Sequence, residues 1–185
     1  MHKMRSGSIL AVLAVAAAAF LAAGVAGAGE GSDASFMGKQ APSFTLTDAH
    51  GAKHSLADLE GQKGTVIIWV STQCPVSNAY NGRMAALAAA YTPKGFNFVG
   101  INSNKAEDPA MIASHAKEHG LDFPILKDEG NVVADEYGAS VTPEAYVLDP
   151  HGVLLYHGRI DDSQKESGIT SKDLASALDA ILDGK

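Results

Sequence analysis

The sequence predicts an α/β protein in which helices flank a mixed central sheet. Three observations carry that expectation. Residues 65–70, Thr-Val-Ile-Ile-Trp-Val, form a short β-branched apolar run of the kind that makes a strand covered on both faces. The apolar period changes just past that run, with Val76, Tyr80, Met84, Leu87 and Tyr91 three or four residues apart on one side of a helix. Further strand and helix patterns then alternate, and the last two strand patterns face each other across a tight turn.

In order, the chain opens with His2, Lys3 and Arg5, an unbroken apolar stretch over residues 9–23, and small residues ending Ala26-Gly27-Ala28. This is the plan of a secretory signal peptide over residues 1–28, cleaved after Ala28. The rival is an uncleaved membrane anchor, but the stretch is shorter than the ~18 residues that span a bilayer and is rich in alanine. No cysteine lies near the cleavage site, which excludes a lipoprotein anchor. Residues 29–35 read as a Gly/Ser linker, and residues 36–185 as the folded domain.

Within that domain, residues 41–47 alternate as an edge strand and Asp48-Ala49-His50-Gly51 reads as a turn. Residues 53–59 return toward the core, with Ser55 capping one helical turn over Leu56 and Leu59. After the central strand and helix, residues 95–102 form a second core strand around Phe96 and Phe98. Asp108-Pro109 opens a helix that Gly120 closes. Residues 121–126 make a short strand interrupted by Pro124, and residues 131–137 a brief helix ended by Gly138. Residues 144–148 and 152–156 pair as a hairpin through Asp149-Pro150-His151-Gly152. Residues 171–182 finish the chain as a helix with Leu174, Leu178, Ile181 and Leu182 facing one way.

Composition narrows the chemistry. The formal net charge is −7, and Lys3 and Arg5 would leave with the signal. Such acidity argues against nucleic acid and against anionic membrane surfaces as partners. The chain holds one cysteine, Cys74. Exported proteins usually pair their cysteines, and this one has no partner in its own chain. Any disulfide it forms therefore joins it to a second molecule: a protein, a small thiol, or another copy.

Cys74 lies at the switch from strand to helix, followed by Pro75, which suits a first helical turn because its missing N–H needs no partner there. Unpaired amides at a helix N-terminus favour thiolate over thiol, and such thiols fall from a free pKa of ~8.5 into the range ~3.5 to 7.5. A thiolate is the nucleophile in disulfide exchange and in attack on peroxide. A cysteine that merely filled core space would sit on the apolar stripe of an element.

Taken together, several segments resemble the thioredoxin-fold redoxins, the peroxiredoxin-like group related to AhpC/TSA. They are Ala41-Pro42-Ser43-Phe44, residues 71–77 (Ser-Thr-Gln-Cys-Pro-Val-Ser), residues 119–126, Val141-Thr142-Pro143, residues 145–149 and residues 158–162. The resemblance implies a thioredoxin-like three-layer sandwich. It also implies that Thr142-Pro143 is a cis peptide lying against Cys74, so that Pro75, Thr142 and Pro143 face the substrate. Two departures are visible. Thioredoxin-type exchange uses Cys-x-x-Cys, but Ser77 stands in the second place. Peroxiredoxins carry Pro-x-x-x-Thr/Ser-x-x-Cys; Ser71 fits, Ile67 replaces the proline, and Pro143 appears where the activating arginine is expected.

The remaining candidates are weaker signals. The Ser77 hydroxyl either donates to the thiolate or lies on the helix surface. Glu144 either moves a proton at the thiol site or is an exposed acid at a strand start. Arg159 pairs with Asp161 or Asp162 rather than serving Cys74. His115-Ala116-Lys117-Glu118-His119 spells a zinc-peptidase pattern, but it sits on a polar helix end and reads as solvated. No metal and no cofactor are expected. The leading expectation is an exported thiol-disulfide oxidoreductase acting on protein or small-molecule thiols and disulfides. A one-cysteine peroxidase and a non-catalytic binding module are the alternatives, and nothing in the sequence addresses oligomeric state.

Overall fold

A computed structural model describes residues 36–185. The expected signal peptide and linker lie outside them. The strands are β1 (Thr45–Asp48), β2 (Lys53–Ser55), β3 (Gly64–Trp69), β4 (Phe96–Asn102), β5 (Ile125–Lys127), β6 (Glu144–Leu148) and β7 (Leu154–Gly158). The helices are α1 (Pro75–Asn78), α2 (Asn81–Tyr91), α3 (Pro109–His119), α4 (Val132–Tyr137) and α5 (Asp173–Leu182).

All seven strands form one sheet in the order β2-β1-β5-β4-β3-β6-β7. Strand β4 runs parallel to both β3 and β5, and the other pairings are antiparallel. The central run is buried along its whole length. Its alternation divides the core between the two faces, as a two-residue side-chain period requires. Val66 and Ile68 join Met84, Phe98, Ile112, Leu174 and Leu178 on the face covered by α2, α3 and α5. Ile67 and Trp69 join Phe36, Phe44, Tyr137, Tyr146 and Leu148 on the face covered by α4 and the N-terminal segment. Helices on both faces of a mixed sheet make the three-layer, thioredoxin-like α/β architecture.

Local chemistry accounts for several boundaries. Asp108 caps α3 by accepting from the Met111 amide at 2.8 Å, and Gly120 ends it in the left-handed region at φ 63°. Three expectations shift. The expected edge strand is second in the sheet, because residues 53–55 pair with it as the true edge instead of only leading into a capped turn. The strand expected over residues 121–126 begins only at Ile125, after Pro124, whose missing N–H cannot join a ladder. The helix expected from Val76 to Tyr91 is broken at Ala79 and Tyr80, so that α1 is a single turn.

Ile67 is 0% exposed in the middle of β3, whereas Leu155 on β7 is 43% exposed. Ile67→Ala should lower stability by about 2–5 kcal/mol in urea unfolding. Leu155→Ala should stay within about 0.5 kcal/mol of the parent.

Candidate functional site

Strand β3 ends at Trp69, and the chain turns through residues 70–73 to reach Cys74, the N-cap of α1. Cys74 is half-buried and its thiol is free. Its Sγ receives the backbone amide of Ser77 at 3.5 Å and lies 3.7 Å from the carbonyl oxygen of Thr142. Thr142-Pro143 is cis. The Cys74 turn and the Thr142-Pro143 loop, far apart in sequence, thus form the two walls around the sulfur, with Pro75 exposed beside it.

Burial works to raise the Cys74 thiol, but the Thr142 hydroxyl and the amides of Ser77 and Val76, donating to the anion, outweigh it and set it below the ordinary value; the charge of Glu107 opposes them. Thr142 acts both ways, since its carbonyl accepts from the thiol while its hydroxyl donates to the thiolate. Because α1 is one turn long, the stabilisation comes from individual N–H groups rather than from the dipole of a long helix.

Glu107, which no recognised motif in the sequence includes, organises one wall. It is 0% exposed and accepts from the Ser71 hydroxyl (2.6 Å), the Thr72 amide (2.7 Å), the Gln73 amide (3.0 Å), Asn102 Nδ2 (2.5 Å) and Asn104 Nδ2 (2.7 Å). Burial raises its pKa, and these donors more than offset it, holding the carboxyl at about 2. The available signal was the pattern Asn102-x-Asn104-x-x-Glu107 directly after a core strand. An acid in a polar loop ordinarily reads as solvated.

Glu144 organises the other wall. Its Oε2 accepts the amides of Ser140 (2.8 Å) and Val141 (3.2 Å), immediately before Thr142, and its Oε1 lies 2.6 Å from His157 Nε2. Both side chains are buried, and the His157 ring stacks on Tyr146 with centroids 4.3 Å apart. His157 was not anticipated; the β6–β7 register places it opposite Tyr146.

Several expectations are thereby corrected. The Ser71 hydroxyl is committed to Glu107 rather than directed at Cys74. Ser77 is buried, not on the surface; its hydroxyl oxygen accepts the Ser71 amide at 3.2 Å, and its backbone amide donates to the sulfur. Glu144 is not an exposed acid, because the loop amides and His157 draw it inward. Arg159 is exposed and pairs with Asp173 at 2.5 Å. Asp161 is taken instead by Arg83, which also donates to the carbonyls of Ser163, Ala79 and Gln164. His115 and His119 stack at 4.3 Å, with His115 Nε2 3.0 Å from Asn81 Nδ2. Among the described residues no three metal-ligating side chains converge.

A carboxyl held at about 2, against an ordinary 4.5, stabilises the fold fully above pH ~4.5 and loses that contribution as pH falls through about 2. Urea unfolding of the parent at pH 6 and pH 2.5 should show an acid-dependent loss of up to about 3 kcal/mol that Glu107→Gln lacks.

Comparison with known proteins agrees with this architecture. Residues 37–157 match the model of the AhpC/TSA family. The chain is similar to the thiol-disulfide oxidoreductase ResA of Halalkalibacterium halodurans, 31% identical over 118 residues, which is 64% of this chain and 65% of that protein, less than two thirds of its length. Among solved structures it resembles an uncharacterized conserved protein from Geobacillus kaustophilus, with 39% identity, TM-score 0.75, and 80% of this chain and 83% of that one covered. It also resembles a secreted Mycobacterium tuberculosis disulfide oxidoreductase homologous to E. coli DsbE, with 25% identity, TM-score 0.59, and coverage of 74% and 95%. With a cysteine turn facing a cis-proline loop on a thioredoxin-like sheet and a family match over most of the described residues, the chain belongs to the AhpC/TSA family.

Proposed function

We propose that the protein is an exported thiol-disulfide oxidoreductase in which Cys74 is the nucleophile. The single observation that carries this reading is the setting of Sγ: half-buried, supplied with the Ser77 amide, and facing Thr142 across the cleft. The similarity to an oxidoreductase named for thiol-disulfide exchange supports it. The signal-like segment of residues 1–28 and the likeness to a protein described as secreted support export.

In the proposed reaction the Cys74 thiolate attacks one sulfur of a protein or small-molecule disulfide. A bond forms between Sγ and that sulfur, the substrate S–S bond breaks, and the second sulfur leaves as a thiolate. Ser77 has no thiol to resolve this mixed disulfide, so an external thiol completes the cycle by attacking the substrate sulfur and expelling Cys74 as thiolate. Pro75, Thr142 and Pro143 line the approach.

Peroxidase chemistry is the second reading, favoured by the family to which the chain belongs. Against it, the Ser71 hydroxyl serves Glu107, and both arginines among the described residues are engaged elsewhere, Arg83 by Asp161 and Arg159 by Asp173.

Treatment with excess aromatic disulfide should release one aromatic thiol per chain, with a pH midpoint below ~8.5. Cys74→Ser should release none. A wild-type thiol that reacts no faster than free cysteine, or a Cys74→Ser protein with full biological activity, leaves the binding-module reading. Oxidation by peroxide much faster than disulfide exchange selects the peroxidase.

A further inference from the structure

Resting on the disulfide-exchange reading, we propose that Glu107 is a positioning residue for Cys74 whose uncancelled negative charge keeps the thiolate a strong nucleophile and a reluctant leaving group. The mixed disulfide then persists until an external thiol arrives.

The positioning part follows from the hydrogen bonds. Ser71, Thr72 and Gln73, the residues leading directly into Cys74, all donate to this one carboxylate. The charge part follows from what does not touch it. Buried carboxylates usually meet a cation, but the five donors to Glu107 are neutral amide and hydroxyl groups. Lys127 of β5, which touches two residues of the same loop, donates to the Asn104 carbonyl at 2.5 Å and to Asn102 Oδ1 at 3.5 Å instead. On the α3 side stands His115, where burial and the neighbouring His119 favour the neutral ring. The field of Glu107 therefore reaches past its donors, and it acts on both Cys74 and His115 in the direction that binds a proton more tightly.

That field has a kinetic consequence for an enzyme with one cysteine. In thiol-disulfide exchange, nucleophilicity rises with thiol pKa, and a thiol of higher pKa leaves more slowly. The Ser77, Val76 and Thr142 donors stabilise the anion enough for attack at neutral pH, while Glu107 stops that stabilisation from making Cys74 an easy leaving group. A resolving cysteine would make a long-lived mixed disulfide unnecessary, but position 77 is serine.

The test is the pH dependence of Cys74 alkylation, together with release of its preformed glutathione adduct by an added thiol, in the full chain. Glu107→Gln should lower the Cys74 pKa by about half a unit to one unit and speed release about two- to threefold. Glu107→Asp, which keeps the charge, should hold the pKa at or above the wild-type value. A purely structural role predicts the opposite sign for Glu107→Gln, because a loosened loop carries the amides away from Sγ. An unchanged or raised pKa in that variant overturns the proposal. Should Glu107→Gln fail to fold, Asn104→Lys removes one donor and sets a cation beside the carboxylate. A fall in the Cys74 pKa in that variant supports the proposal, and an unchanged or raised value, which a loosened loop predicts, overturns it. An inert wild-type Cys74 is a different failure, which removes the disulfide-exchange reading itself.

Discussion

The site depends on two buried carboxylates that take up the backbone amides of its two walls. Where chain leaves a sheet to build a cleft, its N–H groups lose their ladder partners, and leaving them buried and unpaired is costly. Glu107 accepts the amides of Thr72 and Gln73 on the Cys74 side, and Glu144 accepts those of Ser140 and Val141 on the Thr142 side. Each carboxylate thus ties down a loop that has left the sheet. The sulfur sits where the two loops meet.

The carboxylates differ in what else they meet. Glu144 has His157 at 2.6 Å and a place beside the stacked Tyr146 ring, so its wall is tied into the aromatic cluster with Trp69 and Tyr137. Glu107 has only neutral donors, and its charge remains to be felt at the thiol. The sulfur therefore lies between local amides that stabilise its anion and a fixed charge that opposes it. The break between α1 and α2 strengthens the local character of this balance, since a single-turn helix supplies particular N–H groups and little macrodipole.

Most of the architecture was legible from residue order because it rests on periodicity. The buried run of β3, the cap and stop of α3 at Asp108 and Gly120, and the apolar stripe of α5 each announce themselves within a dozen residues. The expected elements that moved did so for local reasons of backbone hydrogen bonding. Pro124 delays β5, and residues 53–55 find a strand partner in β1 that no sequence pattern names. Cys74 was legible too, through its place at a change of period beside Pro75.

The roles around Cys74 were not legible in the same way. Ser71 lies three residues before it, where the resemblance to peroxiredoxins expects a Thr or Ser, and Ser77 three residues past it, where its hydroxyl either reaches the thiol or lies on the helix surface. In the fold one bonds Glu107 and the other takes the Ser71 amide. By itself the sequence determined the α/β layering with most of its strands and helices and singled out the Cys74 sulfur as the candidate nucleophile, because hydrophobic period and turn chemistry act over short stretches of chain. Only the tertiary structure decided which groups surround that atom, because the partners of a buried polar group are set by packing: Glu107 lies 36 residues from Ser71, and the Thr142 carbonyl 68 residues from Cys74.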